Sequence, residues 1–192
     1  MSEHFDCFKA IITLENVKHI MKKILSASSF ILIFTFIALA QNKSVYTSTD
    51  TKNCKTIEQS DKEAGWYRGH CPGVGGYKLE LTEGDLRQSI TIIAPNKKKF
   101  ELNFGSVSSG FSAVGAKAEW RVKGAVPTAL IIRFNASENP EDSTKITSYL
   151  IVSKITKTSA CITDVVKPSA TQNAEAQKLA DAAMGKPCKK SE

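Results

Sequence analysis

The chain is 192 residues long, 42% of its residues are hydrophobic, 8% are aromatic, and its formal net charge is +7. These values are typical of a globular protein, and they exclude a disordered, a collagen-like or a polytopic membrane protein. A chain of this length accommodates one domain with at most one appended segment. The composition alone indicates no particular molecular activity.

Residues 21–40 have the three-part layout of a secretory signal peptide. Two lysines supply a basic start, and an apolar run extends over residues 30–40. The small residues Ala38 and Ala40 occupy the two positions that signal peptidase recognises. The run is shorter than the roughly 20 apolar residues that span a bilayer. We therefore predict cleavage after Ala40, no stable membrane span in the mature protein, and a periplasmic or secreted location.

Residues 1–20 carry three carboxylates, which are unusual in the basic start of a signal peptide. We interpret this stretch as a mis-assigned upstream extension, with translation starting at Met21. The alternative keeps Met1 as the start and makes the apolar run an uncleaved signal anchor. Both interpretations place residues 41–192 outside the cytoplasm as a single β-rich domain. Removing residues 1–40, with four lysines and three carboxylates, changes the net charge from +7 to +6.

Four cysteines remain in residues 41–192, and an even number in an exported chain predicts two disulfides. Three connectivities exist, and the sequence alone leaves the crossed ones open. We favour the nearest-neighbour pairs, Cys54 with Cys71 and Cys161 with Cys188. A zinc site is disfavoured because the chain has no C-x2-C spacing and because His70 directly adjoins Cys71. We expect no metal and no cofactor.

Residues 45–166 have the pattern of short strands separated by turns. The segments 77–81 and 100–104 alternate apolar and polar residues, as half-buried strands do. The segments 89–93, 129–134 and 146–155 are more uniformly apolar, which indicates central strands. Clusters of turn-forming residues predict turns and one long loop at 82–85, 94–97, 139–142 and 105–115.

The C-terminal part changes from strand to helix composition. Residues 170–184 are rich in alanine, Ser169 or Thr171 can cap the start, and Gly185 marks the stop. The predicted apolar stripe consists of Ala176, Leu179, Ala180 and Ala183. The predicted fold is therefore mainly β, an antiparallel sandwich-like or barrel-like sheet with one C-terminal α-helix, held by disulfides.

Residues that could support catalysis have simpler structural explanations. His70 is the single histidine of residues 41–192, and no nucleophile motif surrounds it. Glu80, Glu83 and Asp85 fall at a predicted hairpin, where solvated turn residues are common. The CPGVGGY stretch at 71–77 lacks the Lys-Ser/Thr ending of a phosphate-binding loop, and its glycines suit a tight turn. We assign no catalytic residue.

Two kinds of residue are candidates for partner binding. Trp, Tyr and Arg are enriched at interface hot spots, although large aromatic residues are more often part of the core. A lysine cluster can attract anionic polymers, and the absence of interleaved aromatic residues argues against nucleic acid. The candidates are Trp66, Tyr67, Arg68, His70, Lys97, Lys98, Lys99, Trp120 and Arg121.

Several motifs occur together along most of residues 45–188. They are Cys54 followed by KTIE, RGHCPG and GY within residues 68–77, EGDLR at 83–87, EWR at 119–121, and a tail from Cys161 to Cys188. This pattern resembles a group of small exported bacterial proteins of unknown function. The four cysteines are part of that group's pattern, which supports the nearest-neighbour pairing. The resemblance implies no activity, substrate or ligand.

These observations favour an exported, non-enzymatic protein that binds another protein or an anionic envelope polymer. The positive net charge favours an anionic partner and disfavours an inhibitor of basic lysozymes. One alternative is a hydrolase-like envelope enzyme that uses carboxylates and arginines. It requires a pocket in which some of these groups meet: His70, Glu83, Asp85 and Glu119. The other alternative is a structural envelope component without a discrete site.

Overall fold

The computed structural model describes residues 42–62 and 65–190. The predicted upstream extension at 1–20 and the predicted signal peptide at 21–40 lie outside the described residues. In the described part, no helix has the length and apolar character needed to cross a membrane.

Ten strands and one α-helix account for most of the described residues. The strands are β1 (Lys43–Ser48), β2 (Lys55–Ser60), β3 (Trp66–Cys71), β4 (Lys78–Gly84), β5 (Arg87–Ile93), β6 (Lys99–Glu101), β7 (Ser112–Lys123), β8 (Val126–Ser137), β9 (Ile146–Ile155) and β10 (Ala160–Val166). The helix α1 extends over Gln172–Asp181. Short 3-10 turns occupy Thr51–Asn53, Phe104–Ser106 and Ala183–Gly185.

The long strand β7 divides the sheet into two parts. One of its edges pairs with β8, and the other edge pairs with β1 along its second half and with β5 at Ser112. Strands β2–β6 therefore form one part of the sheet, and β1 with β7–β10 forms the other. The Arg87–Ser112 bridge is parallel, and the other pairings among the described strands are antiparallel.

The larger apolar core lies between these two parts. Tyr77 faces Trp120 with ring centroids 6.4 Å apart, and Phe104 meets Phe134 edge to face at 5.0 Å. Such aromatic pairs add stability beyond the area that they bury. The aliphatic members of this core come from both parts and include Leu79, Leu81, Ile90, Ile92, Leu130, Ile132 and Ile151.

Helix α1 covers the opposite face of the second part. Ala129, Ile131, Leu150 and Val152 point to this face, where they meet Ala176, Ala180 and Ala183. Strands β8 and β9 thus bury both faces, which explains their nearly continuous apolar sequences. The predicted helix stripe is confirmed, with Leu179 packed beside it. Thr171 occupies the N-cap position of α1 but forms no side-chain hydrogen bond there, so the predicted side-chain cap is not formed.

Both favoured disulfides are present. Cys54 is bonded to Cys71 and joins the neighbouring strands β2 and β3, whose register sets Lys55 opposite His70. Cys161 is bonded to Cys188 and ties the C-terminal tail to β10. The mainly β fold with a single described α-helix near the C-terminus is therefore confirmed, together with its disulfides.

The predicted strand at 100–104 and the predicted loop at 105–115 differ from the structure. Strand β6 ends at Glu101 because Asn103 accepts a hydrogen bond from the Ser106 amide and starts a 3-10 turn. The loop ends at residue 111, since Ser112 already pairs with Ala136 of β8. A local turn sets the first boundary, and a cross-strand partner, which local composition does not reveal, sets the second.

Candidate functional site

Four loops meet at one end of the sheet. We call this group the basic end, and its members are residues 72–78, 94–99, 123–126 and 156–159. Gly75 packs against the third loop so closely that a Cβ atom there would lie 2.8 Å from the carbonyl oxygen of Ala125. A Cβ atom on Gly76 would lie 3.2 Å from Cγ of Pro95 in the second loop. The first loop therefore bridges its two neighbours.

Glycine suits this bridging position for a second reason. Gly75 and Gly76 have φ angles of 62° and 82°, a region that other residues rarely adopt. The Tyr77 amide donates to the carbonyl oxygen of Val74 and closes the turn, with strand β4 following it. The prediction that the CPGVGGY glycines form a tight turn after the disulfide is confirmed.

Lys98 connects the second loop to the fourth. Its Nζ atom donates a 3.1 Å hydrogen bond to the carbonyl oxygen of Thr158 and lies 5.3 Å from the centre of the Phe100 ring. These contacts hold one ammonium group in place between two loops.

The charge of the basic end is entirely positive. The four loops contain no aspartate or glutamate and contain the exposed residues Lys78, Lys97, Lys98, Lys99, Lys123 and Lys157. Only Lys99 of these six forms an ion pair with a described residue. Because five like charges here have no counter-ion among the described residues, the local electrostatic potential is positive.

Glu80 accepts hydrogen bonds from side chains of β3 and β6 and lies beside the basic end. Lys99 Nζ contacts both carboxylate oxygens at 2.8 and 2.9 Å, and His70 Nε2 lies 3.0 Å from Oε2. Burial alone would raise the pKa of Glu80, but the bonds from Lys99 and His70 outweigh burial and hold the pKa below its ordinary value. Glu80 is thus a buried, ionised carboxylate with two partners.

The predicted cluster Trp66–Tyr67–Arg68 is divided between the two faces of its strand. The Trp66 side chain is 43% exposed at the start of β3. Tyr67 packs against the core with its ring over Gly69. Arg68 is partly exposed and forms an ion pair with Glu58 of β2. Of these three, Trp66 offers the largest free apolar surface.

Trp120 and Arg121 do not offer a recognition surface. Trp120 is completely buried, and its indole Nε1 donates a 2.8 Å hydrogen bond to Thr47. Arg121 is 7% exposed and binds Asp181 of helix α1 through Nε and Nη2, both at 2.8 Å. Their contacts belong to the interior of the protein.

The groups that an enzyme would need lie apart. Glu83 accepts from Gln88, Asp85 pairs with Arg87 in the β4–β5 turn, and Glu119 accepts from Gln177 beneath helix α1. His70 contacts Glu80 of β4, which is none of these groups. Within residues 42–62 and 65–190, no group of three or more His, Cys, Asp or Glu side chains is placed to hold a metal ion.

The sequence prediction of the site included Lys97, Lys98 and Lys99 but missed Lys78, Lys123 and Lys157. A signal for these three does exist. Consecutive antiparallel strands alternate in direction, so every second connection returns to the same end of a sheet. Each of these connections, counted with the strand residues at its edges, contains lysine and no carboxylate.

The chain was compared with protein-family models, curated proteins and solved structures, and none of them matches it.

Proposed function

We propose that this chain is an exported, non-enzymatic protein that binds an anionic polymer of the cell envelope at its basic end. One observation carries the proposal: the basic end brings six exposed lysines together, and five of them form no ion pair with a described residue. A potential of one sign concentrates oppositely charged ligands near such a surface. The proposal includes membership of the group of small exported bacterial proteins that the motifs resemble.

The character of the charged groups favours a polymer over a folded protein partner. Lysine is depleted in the cores of protein–protein interfaces, where aromatic residues and arginine are enriched. The loops of the basic end contain one aromatic residue, Tyr77, and its ring packs on Trp120. A polymer with repeated negative charges needs little shape complementarity, because each exposed ammonium group can interact with a nearby anion independently.

The dispersal of Glu83, Asp85, Glu119 and His70 supports a binding protein over the hydrolase-like alternative. General acid–base catalysis requires the reacting groups to lie within hydrogen-bond reach of one substrate. Each of these side chains is instead engaged by a different neighbour. The two disulfides support export, because such bonds persist in oxidising compartments.

The test compares what three forms of the protein capture from the cell envelope of its source organism. The first is the unchanged protein, and the second is the basic-end variant Lys97→Gln/Lys123→Gln/Lys157→Gln. The third is the matched control Lys117→Gln/Lys167→Gln/Lys178→Gln, which loses the same charge at exposed positions outside the four loops. The captured polymers and proteins are identified by mass spectrometry and sugar and phosphate analysis.

We expect the unchanged protein and the control to retain the same anionic polymer and the basic-end variant to lose it. Retention of the polymer by the basic-end variant would refute the assignment of the site. Stoichiometric capture of a protein by all three forms would replace the polymer with a protein partner that binds elsewhere.

A further inference from the structure

The opposite end of the sheet has the opposite charge and carries a groove. We call it the acidic end, formed by residues 82–88, 104–112 and 137–146. These loops contain five carboxylates and two cationic side chains. The two ends are joined by the strands β4, β5, β7, β8 and β9. Positive charge is therefore concentrated at one end of these strands and negative charge at the other.

The groove consists of two adjoining cavities that share the Phe111 ring as a wall. One cavity of about 600 Å³ lies between the loops 105–111 and 137–143, with Arg87 at its side. The other, of about 530 Å³, is lined by Leu86 and Ile146. Both volumes fall within the range of ligand-binding pockets, which is roughly 300–1,000 Å³.

Three large apolar side chains border this groove and are exposed. Leu86 is 55% exposed, Phe111 is 45% exposed and Ile146 is 53% exposed. Arg87 fixes the arrangement, because its guanidinium lies 5.2 Å from the centre of the Phe111 ring and its Nε donates to the Ser109 carbonyl oxygen at 2.9 Å. The ring is therefore held in position without being covered on all sides.

Leu86 is placed at a position that disfavours leucine. Asp85 and Leu86 are the two central residues of the β4–β5 hairpin turn, and their φ angles are 50° and 57°. Such turns require positive φ at both positions and favour asparagine, aspartate and glycine. A leucine here costs stability and exposes apolar surface, and strain of this kind is concentrated at functional sites.

The geometry points to a second binding site at the acidic end, which takes an extended polypeptide segment bearing apolar side chains flanked by lysine or arginine. The two cavities, which share Phe111 in their lining, suit alternate side chains of an extended chain, which lie about 7 Å apart on one face. Glu83 and Glu138 line the cavities, form no ion pair with a described residue, and complement basic neighbours of those side chains. The aliphatic borders, Leu86 and Ile146, favour an apolar side chain over a sugar.

This inference is independent of the proposed function, because it uses the opposite end of the sheet and a ligand of opposite charge. Its probe is a short fluorescent synthetic peptide in which lysine alternates with leucine and phenylalanine. One control peptide replaces lysine with glutamate, and the other replaces the apolar residues with serine. Binding is measured by fluorescence anisotropy.

The key variant is Leu86→Asn, since asparagine is suited to the turn and removes the apolar side chain. We expect its unfolding midpoint in guanidinium to equal or exceed that of the unchanged protein, whereas its affinity for the lysine peptide falls about tenfold. Ile146→Thr keeps a β-branched residue in β9 and serves as the second variant. Ile57→Thr removes an exposed apolar side chain of β2, outside both ends, and should leave peptide binding unchanged.

The two control peptides, the two variants at the groove and sedimentation velocity can each overturn the proposal. Equal binding of the glutamate peptide would show that the basic residues do not determine recognition. Equal binding of the serine peptide would show that the apolar side chains do not contribute to it. Unchanged peptide affinity in both Leu86→Asn and Ile146→Thr would show that the peptide does not bind in this groove. Sedimentation velocity that shows self-association of the unchanged protein, abolished by Leu86→Asn, would identify a second copy of this chain as the occupant.

Discussion

Arg121 and Asp181, which are 60 residues apart in sequence, form two parallel hydrogen bonds of 2.8 Å that join strand β7 to helix α1. The Asn42 carbonyl oxygen accepts from the same guanidinium at 3.1 Å, and the Asn42 amide donates to Asp181. The hydrogen bonds to Asp181 raise the pKa of Arg121 despite its burial. Helix α1 is rich in alanine and would be only marginally stable alone. This ion pair is therefore one of the main interactions that hold the helix against the sheet.

Replacing Arg121 with methionine should therefore destabilise the protein. The substitution leaves Asp181 and Glu119 without their cationic partner, and loss of one member of a buried pair costs more than loss of both. We expect the free energy of unfolding to fall by about 2–3 kcal/mol, because Asp181 is partly exposed to water. Guanidinium unfolding of Arg121→Met, Asp181→Leu and the double variant measures the coupling, and additive effects would contradict the pair's role.

Stability should decrease in acid because of Glu80 and Asp181. Burial raises the pKa of Asp181, but hydrogen bonds from Arg121 and Asn42 more than offset burial and lower the pKa, as Lys99 and His70 do for Glu80. The unfolded chain then binds more protons than the folded chain near the ordinary values of 4.5 and 3.8, so stability is present above these values. This contribution to stability is lost as the pH falls through the lowered pKa values of the two carboxylates in the folded state.

Urea unfolding between about pH 3 and pH 7 tests this dependence. The variants Glu80→Gln and Asp181→Asn should be less stable at neutral pH and should show a flatter pH profile than the unchanged protein. Parallel profiles for all three proteins would show that neither carboxylate contributes to the acid transition.

The two tryptophans should respond differently to truncation. Trp120→Ala removes a completely buried ring and the hydrogen bond to Thr47, so a loss of about 3–5 kcal/mol is expected. Trp66→Ala acts on a half-exposed ring and should change stability by less than about 0.5 kcal/mol. Unfolding midpoints measure both effects, and a similar loss in the two variants would refute the assignment of Trp120 alone to the core.

Each disulfide should contribute to stability. Cys54–Cys71 and Cys161–Cys188 have sequence separations of 17 and 27 residues. Closing loops of this size restricts the unfolded chain and contributes about 3 kcal/mol per bond in the chain-entropy description. The paired serine variants should each unfold at lower guanidinium concentration. Identical midpoints with and without a reducing agent would contradict the contribution of both bonds.

Local patterns were sufficient to predict much of the fold. The opposite faces of Leu150 and Ile151 follow from strand periodicity, and the stripe through Ala176 and Ala180 follows from helical periodicity. The disulfide pairing could be favoured because each pair joins cysteines that are neighbours in sequence, 17 and 27 residues apart. These features depend on residues close in sequence, where the geometry of one element determines the outcome.

Features that depend on distant residues could not be predicted in the same way. Trp120 stands between Glu119 and Arg121, a local pattern typical of a surface strand, and its burial depends on the opposing part of the sheet. The burial of Glu80 depends on Lys99, which pairing through β5 brings within reach. The basic end likewise depends on the strand order, which brings together four connections and the lysines in them or at their edges.

Anion binding by the basic end is the central claim, and its salt dependence tests it most directly. The measurement is the Kd for a defined anionic polymer, long-chain polyphosphate, over a series of sodium chloride concentrations. It compares the unchanged protein, Lys97→Gln/Lys123→Gln/Lys157→Gln and Lys117→Gln/Lys167→Gln/Lys178→Gln. At low salt, we predict an affinity loss of about tenfold and a shallower salt slope for the first triple variant alone. Equal losses in both triple variants would show that binding follows net charge, and would contradict a site at the basic end.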